Sequence, residues 1–146
     1  MKIINQNIRR LTVLAACAVL LPTLAFAATM KAGDEIVVTQ DQPVIDNLYV
    51  AAGNVSLASQ VAGDLYTAGG NVLITGSVED DIVAVGGSVT VLADSGDDVR
   101  VVGGNVLIAG NVSGELAAVG GSITVAPDVS IINDVVLAGG QMSLAG

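Results

Sequence analysis

The stretch DIVAVGGSVTVLADSGD, Asp81 to Asp97, is followed at once by DVRVVGGNVLIAGNVSG, Asp98 to Gly114. The two segments share length, a leading acid, a glycine pair and the aliphatic pattern around it, and neither carries a histidine or a cysteine. A sequence that repeats itself without reactive side chains is built for architecture. A fixed period over several copies is the signature of a solenoid and outranks local helix or strand propensity.

Aligned on the glycine pairs, rungs begin at Asn47, Asp64, Asp81, Asp98, Glu115 and Asp134. The first four steps are seventeen residues each; the fifth is nineteen, with the extra residues placed around Ile131 to Asn133. The second position is always a branched aliphatic (Leu48, Leu65, Ile82, Val99, Leu116, Val135). The ninth position runs Val55, Val72, Val89, Val106, Ile123, Met142, and the eleventh runs Leu57, Ile74, Val91, Ile108, Val125, Leu144. The tenth varies between Ser, Thr and Leu, so positions nine to eleven read as a strand with one face turned inward.

Glycine pairs such as Gly86-Gly87 and Gly103-Gly104 exclude long helices, where each glycine costs about 1 kcal/mol relative to alanine. They are expected at corners with positive φ. A second corner is expected at Gly76, Gly110, Pro127 and Gly146, and a third side opens with Val61, Val78, Val112 and Val129. Three short sides per turn describe an all-β, parallel β-helix of about six 17-residue coils over residues 47–146. Its narrow interior accounts for the scarcity of aromatic residues, 2% of the chain. A β-sandwich would show hairpin turns and looser periodicity.

The first 27 residues are of another kind. Lys2, Arg9 and Arg10 precede the apolar run LTVLAACAVLLPTLAFA, which ends in the small-residue pattern Ala25-Phe26-Ala27. Residues 1–27 are therefore expected to be a helical export signal, cut before Ala28. Two other readings stay open: a retained membrane anchor, and lipid attachment at Cys17. Cleavage would remove Cys17, the one cysteine, and with it any disulfide. It would also leave Lys31 and Arg100 against fourteen acidic residues, a net charge of −12. Such a surface repels phosphate backbones, so nucleic acid is not an expected partner. Residues 28–46 are expected to be a lead-in and partial cap, with a short strand at Ile36 to Val38 and Pro43 unable to donate to a ladder.

The rungs DIVAVGGSVTV, DVRVVGGNVLIAGNVSG and ELAAVGGSITV, in phase from about Asn47 to Gly146, resemble those of the bactofilins, the polymer-forming cytoskeletal family, especially their exported bacterial relatives. The resemblance implies a right-handed β-helix that assembles end to end into filaments without nucleotide, often beside a membrane. The last rung breaks off at Gly146, which leaves open that the chain is a piece of a longer protein.

Chemistry is sparse. Asp80, Asp81, Asp97 and Asp98 fall on one corner, where stacking brings Asp80 over Asp97 and Asp81 over Asp98. Carboxylates are hard ligands suited to Ca²⁺; the plainer reading is a solvated acidic edge that keeps an apolar rod soluble. With no histidine, and no cysteine once residues 1–27 are removed, zinc sites built on His or Cys and histidine-dependent transferases of the hexapeptide type are excluded for the exported chain. Constant coil lengths provide no substrate cleft, so the chain is expected to be non-enzymatic and without a cofactor. The expected function is a self-assembling structural protein of the cell envelope, periplasm or cell surface, with copies of itself as partner and membrane or cell-wall components as further candidates. The alternative is a secreted β-solenoid adhesin or polysaccharide-binding module. Tyr49, Tyr66, Leu73 and Leu107 are expected to point outward, either as a lateral contact strip or as scattered surface hydrophobes.

Overall fold

A computed structural model describes residues 28–144 of the chain. The expected signal helix over residues 1–27 and the corner at Gly146 lie outside the described residues. Seven strands follow one another: β1 (Ala28–Val38), β2 (Asn47–Leu57), β3 (Leu65–Ile74), β4 (Ile82–Val91), β5 (Val99–Ile108), β6 (Leu116–Val125) and β7 (Val135–Leu144). Every neighbouring pair is parallel and the sheet order equals the chain order, so the chain is a parallel β-solenoid of about seven turns. No described residue is helical.

The extra turn is β1. It forms a full rung, where only a short strand at its end was expected, and it pairs with β2 over its whole length, Ala28 on Asn47 to Val38 on Leu57. Its register step is nineteen residues, as is the step from β6 to β7, while the four between are seventeen. Both insertions sit at the same corner. Val38 and Val44 are six apart where Leu57 and Val61 are four apart, and the second insertion lies between Val125 and Ile131. The extra residues therefore precede Ile131, at the Pro127 to Ser130 turn where Asp128 takes a φ of 70°, instead of following it. Ile131, not Val129, occupies the ladder of the third side, continuing Val44, Val61, Val78, Ser95 and Val112.

Each ten-residue strand covers two sides of the coil and turns within itself. Side chains alternate inward at positions two and four, then at nine and eleven, as in Ile82, Ala84, Val89 and Val91, all buried. Alternation by two cannot pass from four to nine, so the phase slips by one residue at the glycine pair and the strand bends. Pairing runs through the first glycine (Gly69 on Gly86) and resumes at Asn71 on Ser88.

The glycines are at a bend, as expected, but no described glycine has positive φ. What requires them is the rung next door. A Cβ on Gly87 would stand 2.9 Å from the Gly70 carbonyl oxygen, and one on Gly86 would stand 2.8 Å from that of Gly69. Crowding between stacked rungs selects glycine here.

The interior is a set of aliphatic columns: Leu48, Leu65, Ile82, Val99 and Leu116 along one side, with Leu57, Ile74, Val91, Ile108 and Val125 along another. Burying each such side chain stabilises by roughly 1.5–3 kcal/mol, and the columns are the main source of cohesion. The fourth position adds a further column, Val50, Thr67, Ala84, Val101 and Ala118. Ser95 interrupts the valine column of the third side and satisfies its hydroxyl by donating to the Asp80 carbonyl at 2.9 Å.

Candidate functional site

Position one of each rung stands at the corner just before a strand. There the chain turns out of the sheet, and a backbone N–H is left without a carbonyl partner of its own. The side chain one rung back supplies it. The Asn47 Oδ1 accepts from the Asp64 N–H at 3.0 Å, Asp64 from Asp81 at 3.3 Å, Asp81 from Asp98 at 3.1 Å, and Asp98 from Glu115 at 2.7 Å. The acidic column is thus a ladder of carboxylate-to-backbone bonds that climbs the rod, one step per rung. Charge-assisted bonds of this type are stronger than neutral ones and fix the register of each corner. A shorter run repeats the device on the third side, where Asp94 accepts from the Asn111 N–H at 2.7 Å and Asn111 from Ser130 at 3.0 Å.

Arg100 projects beside the ladder and bridges two of its steps, donating to Asp98 at 2.6 Å and to Asp81 at 3.2 Å. Of the four carboxylates singled out from sequence, Asp81, Asp97 and Asp98 place ligand atoms within 4.8 Å of one another; Asp80 falls outside that group. The Glu115 N–H holds the Asp98 carboxyl below its ordinary pKa, with Arg100 acting in the same direction and partial burial against it. Asp97 is raised, first by the charge of Asp98, then by burial and by the charges of Asp81 and Asp80. Asp98 is therefore committed to a backbone amide and a guanidinium, and Asp97 is the carboxylate of the group left facing like charge.

The outward positions of the first side form a flat face. Tyr49 and Tyr66 stack on each other with ring centroids 4.7 Å apart and planes 6° from parallel, each covering a face of the other. Beside them lies a column that the sequence pattern hid: the fifth position, with Val85, Val102 and Val119 exposed at 48%, 49% and 51%. Leu73 and Leu107 also face outward, but on the far side of the glycine bend among Asn, Ser and Thr, so they do not join the tyrosines in one strip. In place of one lateral strip there are two separate surfaces, of which the tyrosine side is the apolar one.

The two tips differ. At β7 the inward-column residues Val135, Met142 and Leu144 are exposed at 41%, 50% and 58%, against 0%, 1% and 4% for Leu116, Ile123 and Val125 one rung back. Among the described residues nothing covers that edge. At β1 the register puts Thr29, Lys31, Ile36 and Val38 over the inward columns of β2. Comparison with protein-family models, curated proteins and solved structures finds no match for this chain.

Proposed function

We propose that this chain is a non-enzymatic structural protein whose copies add end to end, forming filaments or a scaffold at the bacterial cell envelope. The observation that carries the proposal is the regular stack ending, among the described residues, at β7: there three apolar side chains from inward columns are exposed and no described strand pairs with the outer edge. An edge of this kind is a template for another strand. A β1 strand laid on β7 in the register used throughout the rod sets Val38 against Leu144 and Ile36 against Met142, extending both columns across the joint. The resemblance of the rungs to those of the bactofilins supports the same reading, and the apolar leader with its Ala25-Phe26-Ala27 ending supports export.

Negative-stain microscopy and sedimentation velocity of the full chain without nucleotide provide the test. Filaments or end-to-end oligomers are expected, and Met142→Lys combined with Leu144→Lys is expected to leave folded monomers with an unchanged far-UV spectrum. Monodisperse wild-type monomers at high concentration would overturn the proposal. The carbohydrate-binding alternative draws on Tyr49 and Tyr66, but two rings stacked on each other offer little free ring face to a sugar.

A further inference from the structure

The flat first-side face is the surface most unlike the rest of the rod. Its outward positions are the third and fifth of each rung, and across seven rungs Arg100 and no other residue there is charged. In the upper rungs the third position is large and the fifth small: Met30 beside Ala32, Tyr49 beside Ala51, Tyr66 beside Ala68. The alanines leave a groove of about 350 Å³ alongside the Met30–Tyr49–Tyr66 ridge. The acidic ladder runs along one margin of this face, next to the third-position column, and is absent from the other margin.

We infer that this face is a lateral contact between two copies of the chain, running parallel and related by a twofold axis along the rod. Two geometries bring such faces together. A twofold axis along the rod sets the third column of one copy against the fifth column of the other at the same height. Tyr49 then meets the partner copy's groove at the Ala51 level and Tyr66 meets it at the Ala68 level, large against small at these two rungs. It also carries the two acidic ladders to opposite margins of the sandwich. A twofold axis across the rod makes the copies antiparallel and lays both ladders along one margin, where like charges repel. Ridge-to-groove fit and charge both select the parallel pair.

The size of the face says when the pair forms. Seven rungs about 4.8 Å apart and four residues of roughly 3.3 Å across present roughly 400 Å² per copy. A single pair then buries about 800 Å² in total, below the ~1,200 Å² of stable interfaces. End-to-end growth repeats the face along the axis, and each added copy contributes to one continuous seam. Lateral pairing therefore accompanies polymerisation, and in this respect it rests on the end-to-end reading.

Mixed single-cysteine variants of the full chain, in a Cys17→Ser background, test the contact directly. Tyr49→Cys mixed with Ala51→Cys is expected to give an intermolecular disulfide under mild oxidation. Tyr49→Cys mixed with Ala117→Cys reads the antiparallel arrangement and is expected to stay unlinked. Cross-linking of the second mixture, or of neither at high concentration, overturns the inference whether or not filaments form. Microscopy separates the two proposals: Ala68→Asp, which fills the groove and sets a charge against the partner copy's Tyr66 level, is expected to yield filaments one rod wide at unchanged length, whereas the Met142→Lys and Leu144→Lys variant loses length. Filaments already one rod wide in the wild type, or two rods wide with Ala68→Asp, also overturn it.

Discussion

Thr67 tests the account of the interior most sharply. Its side chain is buried in the fourth-position column, and its Oγ1 has no hydrogen-bond partner among the described residues. Val50 lies on one side of it in the column and Ala84 on the other. A buried hydroxyl left without a partner costs about 1–3 kcal/mol. Thr67→Val exchanges that hydroxyl for a methyl group, and the column already holds valine at positions 50 and 101. The substitution is expected to stabilise the rod by about 1–2 kcal/mol, with a rise of about 4 °C in Tm per kcal/mol for a chain of this length. Thr67→Ser keeps the hydroxyl and removes the methyl, and is expected to cost about 1 kcal/mol. Urea unfolding followed by far-UV circular dichroism reads both, and an unchanged m-value shows that the unfolded reference is shared. If Thr67→Val instead lost 1 kcal/mol while Thr67→Ser was neutral, the hydroxyl would have a partner and the reasoning would fail.

Three further expectations concern the bend and the corners. Gly87→Ala brings a Cβ to 2.9 Å from a carbonyl oxygen, which a small parting of rungs relieves, whereas Gly110→Ala brings one to 1.8 Å from the Ala93 oxygen. The first is expected to cost about 1 kcal/mol and the second about 3 kcal/mol or more, and equal costs in thermal unfolding would refute the crowding argument. On acidification, Asp97 is expected to protonate before Asp98, read by carboxyl ¹³C NMR. The folded Asp98 pKa is lowered, so its contribution is present above the unfolded pKa and is lost as pH falls through the folded value; the raised Asp97 disfavours folding while ionised and is relieved as pH falls. Because Arg100 already bridges Asp81 and Asp98, millimolar Ca²⁺ is expected to leave both midpoints in place, and their displacement would assign the cluster to a cation.

The parts of the fold visible in the sequence are those where one residue type fills one column. Positions two, nine and eleven hold Val, Ile or Leu with a single methionine, and the buried columns of β2 to β6 follow them. The fourth position was hidden because Val50, Thr67, Ala84, Val101 and Ala118 vary in size and include a hydroxyl, although alternation from position two points to it. The fifth-position valines were hidden for the opposite reason. In a run such as IVAV, residues 82–85, inward and outward positions are alike in hydropathy, and hydropathy alone cannot tell Val85 from Val83. The β1 rung is not legible in the repeat because its inward columns begin with Thr29 and Lys31 and its step is two residues longer than the period. The glycine pair marked the bend correctly, but its cause lies in the neighbouring rung, which a single rung of sequence does not contain.

The acidic column shows how a regular stack constrains function. In sequence it offered a cation site or a solubilising edge; in the fold the carboxylates of Asp64, Asp81 and Asp98 each accept a backbone N–H from the next rung. A group already holding a backbone amide loses that bond if it turns toward a ligand, and a corner amide is then left unpaired. At Asp81 and Asp98 the second oxygen is engaged by Arg100, so a cation at this edge would compete with that guanidinium. The first-side face and the β7 tip carry less of this obligation: apart from Arg100 and the Tyr66 hydroxyl, which bond the ladder, their described side chains make no hydrogen bond inside the rod. The surfaces free to form contacts are therefore the two whose chemistry suits another copy of the same stack.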